Sequence, residues 1–169
     1  MSKVKAKLEH LTCLIQGGTL ARCGLVEDQS GLRNYDTPRN ALGEPMQPNI
    51  QATWVANTEV VLDVTLTAHH GGHFVFSGCP ISPGEVPTQE CFDRNQLQFV
   101  SDELYGANLD VNYPERAYIA PVMNNPGYVI DTSSPNAVME FSFKMKLPPA
   151  LRGELVLIQW YYLTGEWSS

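Results

Sequence analysis

The sequence has little positive charge and no long apolar run. Its 169 residues include 11 Lys and Arg against 18 Asp and Glu, so the formal net charge is −7. An acidic chain is not attracted to nucleic acid or to anionic lipid as a basic one is. No segment approaches the roughly 18 apolar residues that a membrane-spanning helix needs. We therefore expect no nucleic acid and no membrane among its partners, and an uncharged partner is favoured.

Several familiar site patterns are also missing from the sequence. It contains neither a Cys-x-x-Cys nor a His-Glu-x-x-His spacing, and no flavin or haem motif. Its first residues, MSKVKAKLEHL, are basic but lack the apolar stretch of a secretory signal. A metal site in this chain would have to use another arrangement of ligands, and these residues encode no signal peptide.

A single domain is the simplest organisation. Hydrophobic residues are 43% of the chain, enough at this length for one real core and too few for two. We expect residues 1–169 to form that domain, with residues 1–10 as a short strand or a disordered arm. The chain has no convincing helical segment of ten residues or more, and its short alternating segments are separated by loops rich in Gly and Pro. This arrangement predicts an all-β fold, an antiparallel β-sandwich.

Two segments carry the clearest strand signal. Residues 138–147 and residues 60–66 alternate apolar with polar side chains, and a period of two indicates strands with one buried face. We expect these apolar faces to pack against each other, with Phe141 in the core. Residues 154–164 are apolar on both faces and belong in a sheet interior. Weaker signals predict strands at residues 51–56 and 127–131 and a short helical turn from Cys91.

Three of the four histidines lie within five residues: His69, His70 and His73. They stand between the strand at residues 60–66 and a second extended run at residues 74–77, which predicts a β-hairpin with imidazoles at its turn. Because imidazole is a common metal ligand, this spacing predicts a candidate metal site. The alternative is a polar loop with surface histidines. Neighbours on a strand point to opposite faces, so His69 and His70 can converge only if the turn twists them.

The four cysteines form two local pairs, each enclosing a loop rich in Gly or Pro. We predict the disulfides Cys13–Cys23 and Cys79–Cys91, although three pairings are possible and four reduced thiols are the alternative. Closing loops of about this length stabilises a protein by roughly 3 kcal/mol each in the chain-entropy model. Disulfides indicate an oxidising compartment. That conflicts with the missing signal peptide and suggests an incomplete or mature-form sequence.

Long loops rich in turn residues occupy residues 24–49 and 102–125. The second loop offers Tyr105, Tyr113 and Tyr118 between Asn, Asp and Pro. Tyrosines in such loops can stack on sugar rings or pack against the surface of their own domain. Both interpretations stay open, and the second is the commoner outcome.

Several of these segments together resemble a known family. The segment TAHHGGHFVFSGCP with the following QECFD, the C-terminal FKMKLPPALRGELVLIQWYYLTGEW and the Cys23-Gly24 pair look like the chitin-binding type-4 domain, the fold of lytic polysaccharide monooxygenases. The resemblance covers roughly residues 11–167. It implies an immunoglobulin-like or fibronectin-like sandwich with long loops, whose flat face lies on insoluble chitin or cellulose, and a copper ion that cleaves glycosidic bonds oxidatively. It also implies an extracellular monomer and an external electron donor.

The resemblance further implies a particular copper site. In this family a histidine brace binds copper through the amino group and imidazole of an N-terminal histidine, and through a second histidine. Matching the motif assigns the second histidine to His70, with His69 at an asparagine position and His73 at an aromatic position. His10 could supply the first ligand only after cleavage behind Glu9, which nothing in MSKVKAKLE predicts. The axial tyrosine or phenylalanine of the family has no assignable position here.

Three functions follow as hypotheses. The first is a copper-dependent polysaccharide monooxygenase with His70 as a ligand; with Met1 retained, we expect weak copper binding and little oxidative cleavage, because the brace is incomplete. The second is a non-catalytic carbohydrate-binding or structural domain that keeps the sandwich without the brace. The third is a different metal held by His69, His70 and His73.

Overall fold

The structure is a computed structural model that describes residues 3–8, 42, 44, 50–66, 71–82, 85, 87–119 and 139–164. These residues form eight strands and one short helix. In chain order the elements are β1 (Lys3–Leu8), β2 (Ala52–Val55), β3 (Glu59–Leu66), β4 (His73–Pro80), α1 (Gln89–Asp93), β5 (Gln98–Asp102), β6 (Arg116–Tyr118), β7 (Met139–Lys146) and β8 (Gly153–Leu163).

The strands form two sheets. One has five strands in the order β2-β1-β8-β4-β6, and the other has three in the order β3-β7-β5. All pairs are antiparallel except β1 with β8, which run parallel. The all-β class and the predominantly antiparallel sheets predicted from the sequence are therefore confirmed, with one parallel pair that the sequence did not predict.

The core lies between the two sheets and contains the apolar faces that the alternation predicts. The inward side chains of β3 and β7 are at most 8% exposed. They are Val60, Leu62, Val64, Leu66, Met139, Phe141, Phe143 and Met145. From the other sheet, the ring of Phe74 lies 5.9 Å from that of Phe141 and 5.7 Å from that of Phe143. These contacts join the sheets into the predicted β-sandwich.

The expectation that β3 and β7 face each other across the core is wrong, because they are neighbours in one sheet. Leu62 is paired with Phe143 and Val64 with Phe141. Alternation identifies the buried face of a strand but not its partner, since every strand that flanks the same core has the same period. The side chains that oppose this face come from β4 and β8 and include Phe74, Phe76, Val156 and Ile158.

The predicted hairpin at residues 60–80 is also wrong. Both of its strands exist, but β3 belongs to the three-stranded sheet and β4 to the five-stranded sheet. The Gly71-Gly72 pair has positive φ angles of 63° and 85°, as turn glycines do, but it lies on a connection between sheets. β4 pairs instead with β8 and β6.

Other predicted elements agree with the structure. β2 carries Trp54 at the predicted position, and β8 lies inside its sheet between β1 and β4. The helical turn near Cys91 is α1, where the Thr88 side chain accepts a hydrogen bond from the Cys91 amide. The possible strand at residues 127–131 lies outside the described residues, and the single-domain organisation stays a prediction.

The N-terminal segment forms β1, so the strand alternative applies to residues 3–8. β1 lies between two partners, with Val4 paired to Trp54 of β2 and to Gly153 of β8. Its backbone therefore hydrogen-bonds on both sides. β1 is an interior strand of the five-stranded sheet.

α1 is attached to the outer face of the five-stranded sheet by a covalent bond and by amide hydrogen bonds. Cys79 and Cys91 form the predicted disulfide, with a Cα–Cα distance of 5.4 Å. The Gln89 and Gln159 side chains donate to each other, at 3.3 and 3.1 Å. Gln159 is buried under the helix. The other predicted disulfide, Cys13–Cys23, lies outside the described residues. No helix among the described residues is long and apolar enough to cross a membrane.

Candidate functional site

His73 is the one predicted site histidine that the structure describes. It is the first residue of β4, where it is paired with Tyr118 of β6 and Leu163 of β8. Its neighbour Phe74 faces the core, so His73 faces the outer side of the five-stranded sheet. His10, His69 and His70 lie outside the described residues, and their convergence with His73 stays a prediction.

The surroundings of His73 favour its neutral form. Its ring centroid lies 5.2 Å from that of Tyr118. Partial burial lowers the pKa of His73, the nearby Arg116 lowers it further, and Glu115 opposes the shift. A neutral imidazole keeps a lone pair, which is the form that binds a metal.

The described residues do not by themselves fit a copper ion. Across the described ranges, no group of three or more His, Cys, Asp or Glu side chains is arranged to hold a metal. A copper site would need ligands from the histidines at positions 10, 69 and 70, which lie outside those ranges.

The position of β1 bears on His10 as a terminal ligand. Cleavage behind Glu9 would separate β1 from the rest of the chain. Because β1 lies between β2 and β8, a protein that began at His10 would lack an interior strand of its larger sheet. His10 as a terminal ligand remains a prediction from the sequence. If it is correct, the larger sheet must form without β1.

A cluster of polar and aromatic side chains lies beside His73 on β6 and the segment before it. Arg116 Nη1 donates to the Tyr118 hydroxyl at 3.3 Å, and this hydroxyl donates to Asp110 Oδ2 at 3.2 Å. The Arg116 guanidinium carbon lies 3.7 Å from the ring centroid of Tyr113, a cation–π geometry. These contacts and the nearby Glu115 raise the pKa of Arg116, so the arginine stays charged.

The three loop tyrosines have different environments. Tyr105 packs against its own domain, since its ring centroid is 5.6 Å from that of Phe141 and its hydroxyl donates to the Glu140 carbonyl at 3.0 Å. Burial raises the pKa of Tyr105. Tyr118 belongs to β6 and not to a loop, which corrects that prediction. Tyr113 is exposed.

Two polar residues of this region were missed in the sequence. The buried Asp102 carboxylate accepts hydrogen bonds from the amides of Leu104, Tyr105 and Ala107, at 3.0, 3.1 and 3.2 Å. It thereby fixes the start of the loop between β5 and β6. Arg116 was missed as well, although its alternation with Tyr118 around the buried Ala117 was a readable strand signal. Both roles depend on residues at most five positions away, and an Asp at the start of a turn-rich segment was the local signal for the first.

Comparison with known proteins assigns the chain to a family. The family described as lytic polysaccharide mono-oxygenase, cellulose-degrading, matches residues 2–169. The chain belongs to this family, and the monooxygenase part of the resemblance is confirmed. The match does not show the narrower assignment to the chitin-binding type-4 domain.

One solved structure and the curated proteins complete the comparison. The lytic polysaccharide monooxygenase AA15 from Thermobia domestica, in the Cu(I) state, is 21% identical to this chain with a TM-score of 0.46. The alignment covers 65% of this chain and 45% of that one. This chain therefore spans less than half the length of that protein. No curated protein matches the chain.

Proposed function

We propose that this protein is a secreted copper-dependent monooxygenase that cleaves an insoluble polysaccharide, chitin or cellulose. The family match over residues 2–169 carries the proposal. The β-sandwich supports it, and the Cys79–Cys91 disulfide fits an oxidising, extracellular compartment. An external donor supplies the electrons.

His70 is the proposed copper ligand on the connection between β3 and β4. When bound, the copper supplies the activation of oxygen or peroxide. His73 begins the strand that follows this connection, and its partly buried imidazole, with its lowered pKa, is available as a further ligand. His69 and His10 are the remaining candidates, His10 only as a terminal residue.

The first experiment tests the ligand. Calorimetry with copper(II) should detect binding by the protein with its natural N-terminus, and His70→Ala should weaken it by at least about 100-fold, because even changes outside the ligand sphere cost 10- to 100-fold. His10→Ala is preferable to trimming the chain to His10, since trimming also removes β1. His69→Ala and His73→Ala complete the set. Unchanged copper affinity in His70→Ala would refute its assignment.

The second experiment tests the reaction. The protein is incubated with chitin or with cellulose in the presence of copper and a reductant, and soluble products are analysed by mass spectrometry. We expect oxidised oligosaccharides from one polysaccharide, and none from His70→Ala. A protein that adsorbs to polysaccharide but neither forms oxidised products nor binds copper tightly would instead favour the non-catalytic carbohydrate-binding domain. N-terminal sequencing of the natural protein identifies which residue can supply a terminal amine.

A further inference from the structure

An exposed aromatic side chain lies on the segment between β5 and β6. Tyr113 is 46% exposed, and it is the only exposed aromatic residue in the part of the chain that the structure describes. Two other apolar residues of the same segment, Leu109 and Val111, are 47% and 81% exposed. Three exposed apolar side chains within five residues make this segment a candidate contact surface.

The Tyr113 ring packs against the side chain of Arg116. Arg116 covers one face of the ring, with its guanidinium carbon 3.7 Å from the ring centroid. Arg116 is itself anchored, because it donates to the Tyr118 hydroxyl at 3.3 Å. A ring with one face covered and nearly half of its surface exposed can present its other face to a ligand without further ordering.

The backbone around Tyr113 is fixed as well. The Tyr113 amide donates to the Asp110 carbonyl at 3.2 Å, and the Arg116 amide donates to the Tyr113 carbonyl at 3.0 Å. The Pro114 carbonyl accepts from the Phe99 amide of β5 at 2.7 Å. The segment is thus connected to both flanking strands. Preorganisation of this kind reduces the entropy lost on binding.

The charged side chains near Tyr113 contact other groups of the protein. Arg116 Nε lies 3.7 Å from a Glu115 carboxylate oxygen, and Asp110 accepts from the Tyr118 hydroxyl. Asp110 and Glu115 give this cluster one more negative than positive charge, and the whole chain carries a net charge of −7. The surface therefore disfavours an anionic ligand, and a neutral ligand needs no counter-charge from it. A pyranose ring is such a ligand, because its C–H faces are apolar and pack on the electron-rich face of an aromatic ring.

We propose that Tyr113, supported by Arg116 and flanked by Leu109 and Val111, is a stacking platform for a sugar ring of a neutral insoluble polysaccharide. The proposal rests on the proposed function for the class of ligand, and on the geometry of this segment for the site. Tyr113 contributes adsorption to the polysaccharide and takes no part in the chemistry. Arg116 is a positioning residue that keeps the ring in its orientation.

Adsorption isotherms on chitin and on cellulose, measured without reductant, test the platform. Tyr113→Ala should weaken adsorption by about three- to tenfold, as expected for one aromatic stacking contact, whereas Tyr113→Trp should retain it. Val61→Ala is the matched control, since Val61 is 49% exposed on the outer face of the other sheet. Arg116→Gln should give an intermediate loss because the ring loses its support. Copper affinity should be the same in Tyr113→Ala, Tyr113→Trp and Val61→Ala.

The outcomes separate this inference from the proposed function. If the unaltered protein adsorbs and Tyr113→Ala adsorbs equally well, the platform is wrong and the monooxygenase proposal is unaffected. If the unaltered protein adsorbs to neither polysaccharide, both are overturned. If Tyr113→Ala changes only the sedimentation coefficient, the surface contacts a second copy of the chain, and the platform is again wrong.

Discussion

Phe141 is a buried side chain of the core that contacts three other aromatic rings. It is 1% exposed, and its ring contacts those of Phe74, Phe143 and Tyr105, at centroid distances of 5.9, 6.0 and 5.6 Å. Phe141→Ala would leave a cavity between the two sheets, and we expect the free energy of unfolding to fall by about 3–5 kcal/mol. Urea denaturation monitored by tryptophan fluorescence measures it.

The control for Phe141 is Val61→Ala on the solvent side of the same sheet. Val61 is 49% exposed, and its truncation should change the free energy of unfolding by no more than about 0.5 kcal/mol. A loss below about 1 kcal/mol for Phe141→Ala would mean that the ring does not fill the space between the sheets.

At the scale of an element, the loop after β5 depends on one carboxylate. Asp102 accepts from three backbone amides, and Asp102→Ala would leave all three without that acceptor. We expect a loss of about 1–3 kcal/mol and faster hydrogen exchange at Leu104, Tyr105 and Ala107. Asp102→Asn keeps one carbonyl oxygen and should preserve part of the protection. Exchange at these amides that is no faster in Asp102→Ala than in the unaltered protein would refute the role of the carboxylate.

The attachment of α1 is a second element-scale prediction. The Cys79–Cys91 disulfide closes a loop with a sequence separation of 12. Replacing both cysteines with alanine should lower the free energy of unfolding by about 3 kcal/mol, chiefly because the unfolded chain regains freedom. Glu90→Ala on the same helix is the control, since its ion pair with Arg94 is solvent-exposed and such pairs contribute little. A loss no greater than that of Glu90→Ala would contradict the prediction.

How well each element could be predicted from the sequence depends on how far apart in the chain its contacting residues lie. The period of two in β7 arises from neighbouring residues, so its buried face was predicted from the sequence, and the Cys79–Cys91 loop was short enough to predict. The pairing of β3 with β7 depends on residues far apart in the chain, and alternation does not encode it. Asp102 and Arg116 are different, because the residues that they contact lie at most five positions away; their local turn and strand signals were present in the sequence and were missed. The histidine spacing at residues 69–73 predicts a metal site, and with His69 and His70 outside the described residues it stays a prediction.

At the scale of the whole molecule, we expect the stability of the larger sheet to depend on the N-terminal strand. β1 lies between β2 and β8 in the larger sheet. A chain that begins at His10 would expose one edge of each, and we expect a lower melting temperature and a tendency to associate through the open edges. Thermal unfolding and sedimentation compare it with the full chain and with Thr53→Ala, an exposed position on β2, as a surface control. An unchanged melting temperature would mean that β1 is dispensable.

The parallel pair of β1 and β8 also determines when the larger sheet can form during synthesis. Val4 pairs with Gly153 and Leu8 with Ile158, so β1 leaves the ribosome well before the partner strand that it needs. Pairings between segments this distant in the chain close slowly. Until then the edges of β1 and β2 are open to wrong partners. In an exported chain, the larger sheet would be completed only after translocation, where the Cys79–Cys91 bond also forms.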